Sequence, residues 1–238
     1  MNERQAKLLA AIIDQFVDTA LPVGSKRLLE TVDFSVCSAT IRNEMNELET
    51  EGFLLQPHVS AGRIPTAKGY RMYVQEFMQP SAQERAVRKK FETLIEQYGK
   101  RKEQERVYEA VALLSRMIPN IAFATAPHKD RVYYLGLANA LRQPEFQQDP
   151  MLASGVMEII EERLHDVLSR VQIDGTVRHY IGEVDILPQL QSCSLLVTTY
   201  RLRGAEGVIG ILGPMRMDYA YNTVALDLAA QLLHSQER

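Results

Sequence analysis

Near the start of the chain, apolar residues recur with helical spacing. Leu8, Ile12, Phe16 and Ala20 form one row, with Leu9, Ile13 and Val17 beside it. That is the stripe of an amphipathic helix resting on a core, predicted over residues 4–20. Pro22 and Gly24 end it, and Ser25 is placed to cap a short second helix carrying Leu28 and Leu29. Ser38 is placed to cap a third helix, which runs to about Glu51 and stops at Gly52.

The third helix divides into two sides. Ile41, Met45 and Leu48 fall together and are predicted to pack inward. Ala39, Asn43, Asn46 and Thr50 point the opposite way, flanked by Thr40, Arg42 and Glu47. A DNA major groove needs such a face: small residues permit close approach, and Asn and Arg offer paired hydrogen bonds to base edges. The free N–H groups at the Ser38 end suit a phosphate. The same composition also describes a solvated helix surface.

The next segment narrows that choice. Phe53-Leu54-Leu55-Gln56 and the stretch from Pro57 to Pro65 read as two short strands around a loop tipped with Ser60, Ala61 and Gly62. Thr66 then caps a helix with apolar Tyr70, Tyr73, Val74, Phe77 and Met78. Three helices, a hairpin and a closing helix make a winged helix-turn-helix over residues 1–79. His58, Ser60 and Arg63 fall on the wing, where backbone or minor-groove contact is expected. Lys26, Arg27, Lys68 and Arg71 are candidates for flanking phosphates, and equally for ordinary solvated cations.

Residues 80–238 predict a second, α+β domain. Ser81 and Glu84 have capping-box spacing and open a charged helix through about Tyr98. Gly99 and the basic run Lys100-Arg101-Lys102 interrupt it before a helix holding Val107, Val111 and Leu114. Strands are predicted at 121–126, 131–137, 177–184, 193–202 and 207–212. A helix over 151–170 turns Val156, Ile159, Ile160, Leu164 and Val167 inward, and a last helix after Asp218 carries Val224, Leu228 and Leu232.

Composition changes this picture little. Of 238 residues 46% are hydrophobic and 24% charged, an ordinary balance for a globular chain. No apolar run has the length of a membrane span, and Met1-Asn2-Glu3-Arg4 does not read as a signal peptide. Cys37 and Cys193 are far apart and the five histidines scattered, so neither a disulfide framework nor a metal site is expected, and the cytoplasm suits the chain. The formal charge is −3, and residues 1–79 hold eight Lys/Arg against ten Asp/Glu. Any nucleic-acid contact therefore comes from local placement of charge. No phosphate-binding glycine loop, GxSxG or HExxH motif is present, which counts against an enzyme, and no cofactor is expected. Glu161, Glu162 and His165 read as a hydrated helix face, and His179 and Cys193 as packing residues.

Several runs are specific. Pro22-Val23-Gly24-Ser25, Ser38-Ala39-Thr40-Ile41-Arg42-Asn43-Glu44-Met45, the stretch Gln56 to Thr66, and Gly69-Tyr70-Arg71-Met72-Tyr73-Val74 resemble the N-terminal domain of the heat-inducible transcription repressor family, HrcA. The resemblance resumes at Gln143-Pro144-Glu145-Phe146, Ile181-Gly182-Glu183, Cys193-Ser194 and Gly213 to Tyr219. It implies a GAF-like second domain, an inverted-repeat operator in double-stranded DNA upstream of chaperone genes, a homodimer, and dependence on a chaperonin. The middle departs from the family: Ile118 to Ala124 passes quickly to Val132-Tyr133-Tyr134-Leu135-Gly136, where members carry a longer region with a dimerisation insert. Glu44 stands where the family usually has Asp, and Met215 where it often has Thr. Two other functions stay open at this point: a winged-helix regulator with a small-molecule pocket in its second domain, and an enzyme with an appended DNA anchor.

Overall fold

The computed structural model describes the chain apart from residues 33, 35, 99–105, 128–130, 184–190, 203 and 235–238. The chain segregates into two compact units, Met1–Met78 with Arg216–Asp218, and Gln79–Met215 with Tyr219–Arg238.

The first unit opens with helices α1 (Glu3–Thr19), α2 (Ser25–Thr31) and α3 (Ser38–Thr50). Asn2 and Gln5 form a reciprocal capping box that starts α1. Leu8, Leu9, Ile12 and Ile13 are fully buried, as their spacing predicts. The caps of the next two helices differ from expectation. Gly24, not Ser25, precedes α2, and Cys37, not Ser38, precedes α3. The two serine hydroxyls instead lie 3.0 Å apart and join α2 to α3. Gly52, at φ +79°, ends α3 as expected, because a left-handed turn there costs glycine least.

Strands β1 (Leu54–Leu55) and β2 (Ile64–Pro65) form an antiparallel hairpin, pairing Leu54 with Pro65 and Leu55 with Ile64. Thr66 caps α4 (Ala67–Met72) by accepting the Gly69 N–H, and donates its hydroxyl to the Gly52 carbonyl. The helix then widens into a π-helical turn over Tyr73–Phe77. That change of period rotates the apolar row off one face. Tyr70 is buried, whereas Tyr73, Val74, Phe77 and Met78 are half-buried.

The second unit is built on a five-stranded antiparallel sheet in the order β4-β3-β7-β6-β5, where β3 is Ile121–Thr125, β4 Val132–Leu135, β5 Arg178–Ile181, β6 Cys193–Leu202 and β7 Ala205–Pro214. Both its faces are covered. Ile121, Phe123, Cys193, Leu195, Val197 and Leu212 point to one side. There they meet α7 (Leu137–Ala140), α8 (Pro144–Gln148), α9 (Pro150–Glu158) and α10 (Leu164–Ser169). The alternate residues Leu196, Ile209 and Ile211 are also buried. On that side pack α6 (Arg106–Met117) and the last helix, α11 (Tyr219–His234), with α5 (Pro80–Tyr98) against α11. This explains why β6 is buried without a break from Cys193 to Thr198.

Four expectations change here. The helix α5 begins at Pro80, so Ser81 lies inside its first turn and not at a cap. The helix predicted over 151–170 is split by a π-helical segment, Ile159–Arg163, although Val156, Ile159, Ile160, Leu164 and Val167 are all buried. The short helices α7 and α8 lack the length to show periodicity. On α11 the buried positions include Asn222, Leu226, Ala229 and Leu233 as well as Leu228, while Val224 and Leu232 are half-buried. The run Lys100-Arg101-Lys102 lies outside the described residues.

Polar groups tie α11 to the sheet. Ser194 on β6 lies 2.7 Å from the Tyr219 hydroxyl, and His179 Nε2 on β5 lies 2.8 Å from Thr223 Oγ1. Burial pushes His179 down from 6.5 to about 4. The folded chain therefore holds it neutral at a pH where the unfolded chain already takes up a proton. The contribution of this group to stability is full above its unfolded value of 6.5 and is lost as pH falls from there toward about 4. Urea midpoints measured between pH 7.5 and 4.5 should fall with pH in the native chain. The fall should be visibly shallower in His179→Gln, which keeps a hydrogen-bonding side chain that does not titrate.

Candidate nucleic-acid interface

Helix α3 is anchored on one side and open on the other. Ile41 and Leu48 are fully buried and Met45 nearly so. Beside them Glu44, also buried, pairs with Arg4 of α1, and Gln5 Nε2 donates to Glu47 Oε2 at 2.8 Å. The neighbouring carboxylates raise Arg4 above its ordinary value, chiefly through the hydrogen bond to Glu44. The opposite side presents Ala39, Arg42, Asn43 and Asn46, all exposed, with Ser38 and Thr40 half-buried at its first turn. Cys37 precedes this turn and is exposed. Its Sγ lies 3.4 Å from Thr40 Oγ1, and that contact, with the N–H groups of Thr40 and Ala39, holds the thiol below its ordinary value.

The hairpin loop stands beside the second half of α3. His58, Val59 and Ser60 are exposed at its tip, with His58 Nδ1 3.3 Å from Ser60 Oγ. Arg63 is turned away from solvent. Its Nε lies 2.9 Å from Glu49 Oε2, and its Nη2 donates to Asn46 Oδ1 at 2.8 Å. The backbone of Arg63 exchanges two hydrogen bonds with Val23, both 2.9 Å long.

The other basic candidates separate. Lys26 and Arg27 are exposed on α2. Lys68 donates to the Glu51 carbonyl and sits 4.4 Å over the Phe53 ring, at the far end of α3 from Ser38. Arg71 is half-buried on α4. So the structure gathers Ser38, Ala39, Thr40, Arg42, Asn43 and Asn46 on α3, brings Arg63 to that helix, and places Lys68 at its other end.

Three residues of this surface escape sequence reading. Val59 is 96% exposed, an apolar side chain carried at the loop tip. An isolated valine in a polar loop is a signal that was available. Glu49 and Gln56 are the others: the Gln56 N–H donates to Glu49 Oε1 at 3.0 Å, and Gln56 Nε2 donates to the carbonyls of Val59 and Ala61. Nothing in their spacing marks them.

Burial pushes the Cys193 thiol up to about 12, away from the thiolate a nucleophile needs. Glu161, Glu162 and His165 are exposed. Among the described residues no cluster of His, Cys, Asp and Glu could hold a metal, and no helix is long and apolar enough to cross a membrane. A 10 Å³ apolar cavity beside Ile121 and Phe146 has room for about one water.

A family model described as the HrcA protein C-terminal domain matches residues 73–222. The chain belongs to the HrcA family. Its relatives include proteins named heat-inducible transcription repressor HrcA. The one from Brevibacillus brevis is 28% identical over 334 residues, covering 97% of this chain and 96% of its own. That alignment is longer than the 238 residues of this chain, so a good part of the relative has no counterpart in it. In this chain β3 and β4 are adjacent strands of one hairpin, and Ala126 N–H donates to the Arg131 carbonyl across its mouth. The relative from Gloeobacter violaceus is 41% identical over 128 residues, 53% of this chain and 35% of its own. A solved structure described as a hypothetical protein shares the fold, with a TM-score of 0.79 over 99% of this chain and 97% of its own at 18% identity.

The loop's seat against Val23 yields a direct test. A β-carbon on Gly62 would lie 2.4 Å from the Val23 carbonyl. Gly62→Ala must therefore shift backbone, and should cost roughly 1–3 kcal/mol in a urea titration. Gly24→Ala, where a β-carbon meets nothing within 4 Å, serves as the comparison and should cost clearly less.

Proposed function

We propose that this chain is a sequence-specific DNA-binding repressor of heat-shock genes, acting in the cytoplasm as a homodimer at an inverted-repeat operator. Residues 1–79 are read as a winged helix-turn-helix and residues 80–238 as a GAF-like regulatory and dimerisation domain. The observation that carries this reading is α3: a helix held from behind by Ile41, Met45 and Leu48 while a small, amide- and guanidinium-bearing face stays open. Membership of the HrcA family, with relatives named as heat-inducible repressors, agrees with it.

On this reading Ala39, Arg42, Asn43 and Asn46 meet base edges, and Ser38 and Thr40 bring the helix N-terminus to a phosphate. The loop 56–63 is the wing, presenting His58, Val59 and Ser60. Lys26 and Arg27 are the flanking cations best placed for phosphate, because Lys68 is committed to the end of α3. A two-fold operator asks for a two-fold protein. The chain acts as a regulator, without catalysis.

Selection of bound sequences from random duplex DNA tests the reading. The full chain should enrich an inverted repeat, and a set with no common sequence would sink the proposal. Arg42→Ala and Asn43→Ala should each weaken binding to the selected site by roughly 1–3 kcal/mol at fixed salt. Their thermal melts should stay close to the native one, since both side chains are exposed.

Chaperonin dependence is a separate element of the proposal. It rests on the apolar strands β6 and β7, which are exposed whenever the sheet is unformed. Refolding with chaperonin and nucleotide should raise operator-binding activity several-fold over spontaneous refolding. Equal recovery in both would remove the chaperonin from the account.

A further inference from the structure

Two residues that the sequence offered as DNA contacts, Asn46 and Arg63, are bonded to each other. Arginine has only donors, so the Asn46 atom 2.8 Å from Arg63 Nη2 is the amide oxygen. The remaining Asn46 group is then its NH₂, a pure donor. Arg63 is itself fixed by Glu49, three residues further along α3 and on the same side of the helix, with Nε 2.9 Å from Oε2. The other oxygen of Glu49 accepts the Gln56 N–H at 3.0 Å. One carboxylate thus grips both feet of the loop, at Gln56 and at Arg63. The flanking strands are two residues each, too short to hold that loop by their own ladder. Gln56 Nε2 ties the loop to itself through the Val59 and Ala61 carbonyls, and the backbone of Arg63 is pinned on Val23. The Arg63 side chain is 13% exposed, with Glu49 beside it, which leaves it poorly placed to meet a phosphate.

We propose that the Glu49–Arg63–Asn46 chain sets the base specificity of α3 by presenting Asn46 to DNA as a donor only. This rests on the operator-binding reading above. A free asparagine pairs in two places with adenine, through N6–H and N7; a donor-only amide fits the adjacent acceptors of guanine, N7 and O6. Arg63 and Glu49 are positioning residues: they orient Asn46 and seat the loop without touching DNA.

The test is sequence selection from random duplexes with four full-length variants beside the native chain. The native protein should select guanine at the position whose identity changes in Asn46→Asp. Asn46→Asp keeps the oxygen that Arg63 needs and replaces the outward donor by an acceptor. It should move that position to cytosine, which offers the N4 donor. Arg63→Ala frees the amide to rotate and should shift the same position toward adenine, with the salt dependence of binding unchanged. Glu49→Ala removes a negative charge beside DNA, which by charge alone would tighten binding. It should instead weaken binding to the native site roughly tenfold. Glu49→Gln keeps one acceptor oxygen and turns the other into a donor, so it can hold Arg63 Nε or the Gln56 N–H but not both; it should weaken binding to the native site less than Glu49→Ala does.

Several results would overturn the proposal while leaving the operator reading intact. One is native selection of adenine at the position that changes in Asn46→Asp, or a selected sequence in which no position changes in that variant. Another is a salt slope shallower by about one in Arg63→Ala, the mark of a lost phosphate contact. A native chain that selects no sequence at all sinks the operator reading first and this proposal with it.

Discussion

The first unit is governed by a demand placed on one short helix. Helix α3 has thirteen residues, and the contacts that fix it spare most of its outward side, Asn46 excepted. Burying Ile41, Met45 and Leu48 supplies the apolar grip, but three side chains on one stripe leave a helix free to roll. The polar seam removes that freedom. Arg4 meets Glu44 and Gln5 meets Glu47 from α1, and Ser38 meets Ser25 on α2. Each of these bonds takes a polar group that local sequence rules would have assigned to solvent or to a cap. The exposed face of α3 is the remainder after these contacts are satisfied.

Charge follows the same logic. The unit carries more carboxylates than basic groups, which by itself argues against a polyanion as partner. Pairing inside the unit removes charges of both signs in equal number and leaves the sum unchanged, but it decides which charges face solvent. Glu44 is taken up by Arg4, Glu49 by Arg63 and the Gln56 N–H, and Glu47 by Gln5. Arg42, Lys26 and Arg27 are exposed. A surface field depends on which charges are neutralised at short range, and the formal sum discards that information.

In the second unit the binding constraint is a sheet covered on both faces. Cys193, Leu195 and Val197 serve one side of β6, while Leu196 and the polar Ser194 and Thr198 serve the other, all buried. Buried polar groups on such a strand need partners, and Tyr219 supplies one for Ser194. His179 and Thr223 solve the same problem one strand over, with a neutral imidazole. Close approach of strands is met on β7 by Gly210, whose missing side chain makes room for the Phe123 ring.

The order of helices and strands was legible along the chain. Rows such as Leu8-Ile12 and Ile41-Met45-Leu48 announced α1 and the inner face of α3, Gly52 and Thr66 marked the ends of α3 and the start of α4, and all five strands of the large sheet were found to within a few residues. These features are recorded locally: periodicity reports which side of an element is buried, and cap and turn residues act on neighbours a few positions away. What tertiary structure alone decided was the partner of each polar group. Ser25 and Ser38 looked like caps and became a bridge, Arg63 was read as a wing residue and pairs with Glu49, and the apolar-rich α11 has a buried face that its composition did not single out. A hydrogen bond or ion pair between residues far apart in sequence leaves no spacing to read. The choice among several chemically able partners is made only when packing brings one of them within about 3 Å.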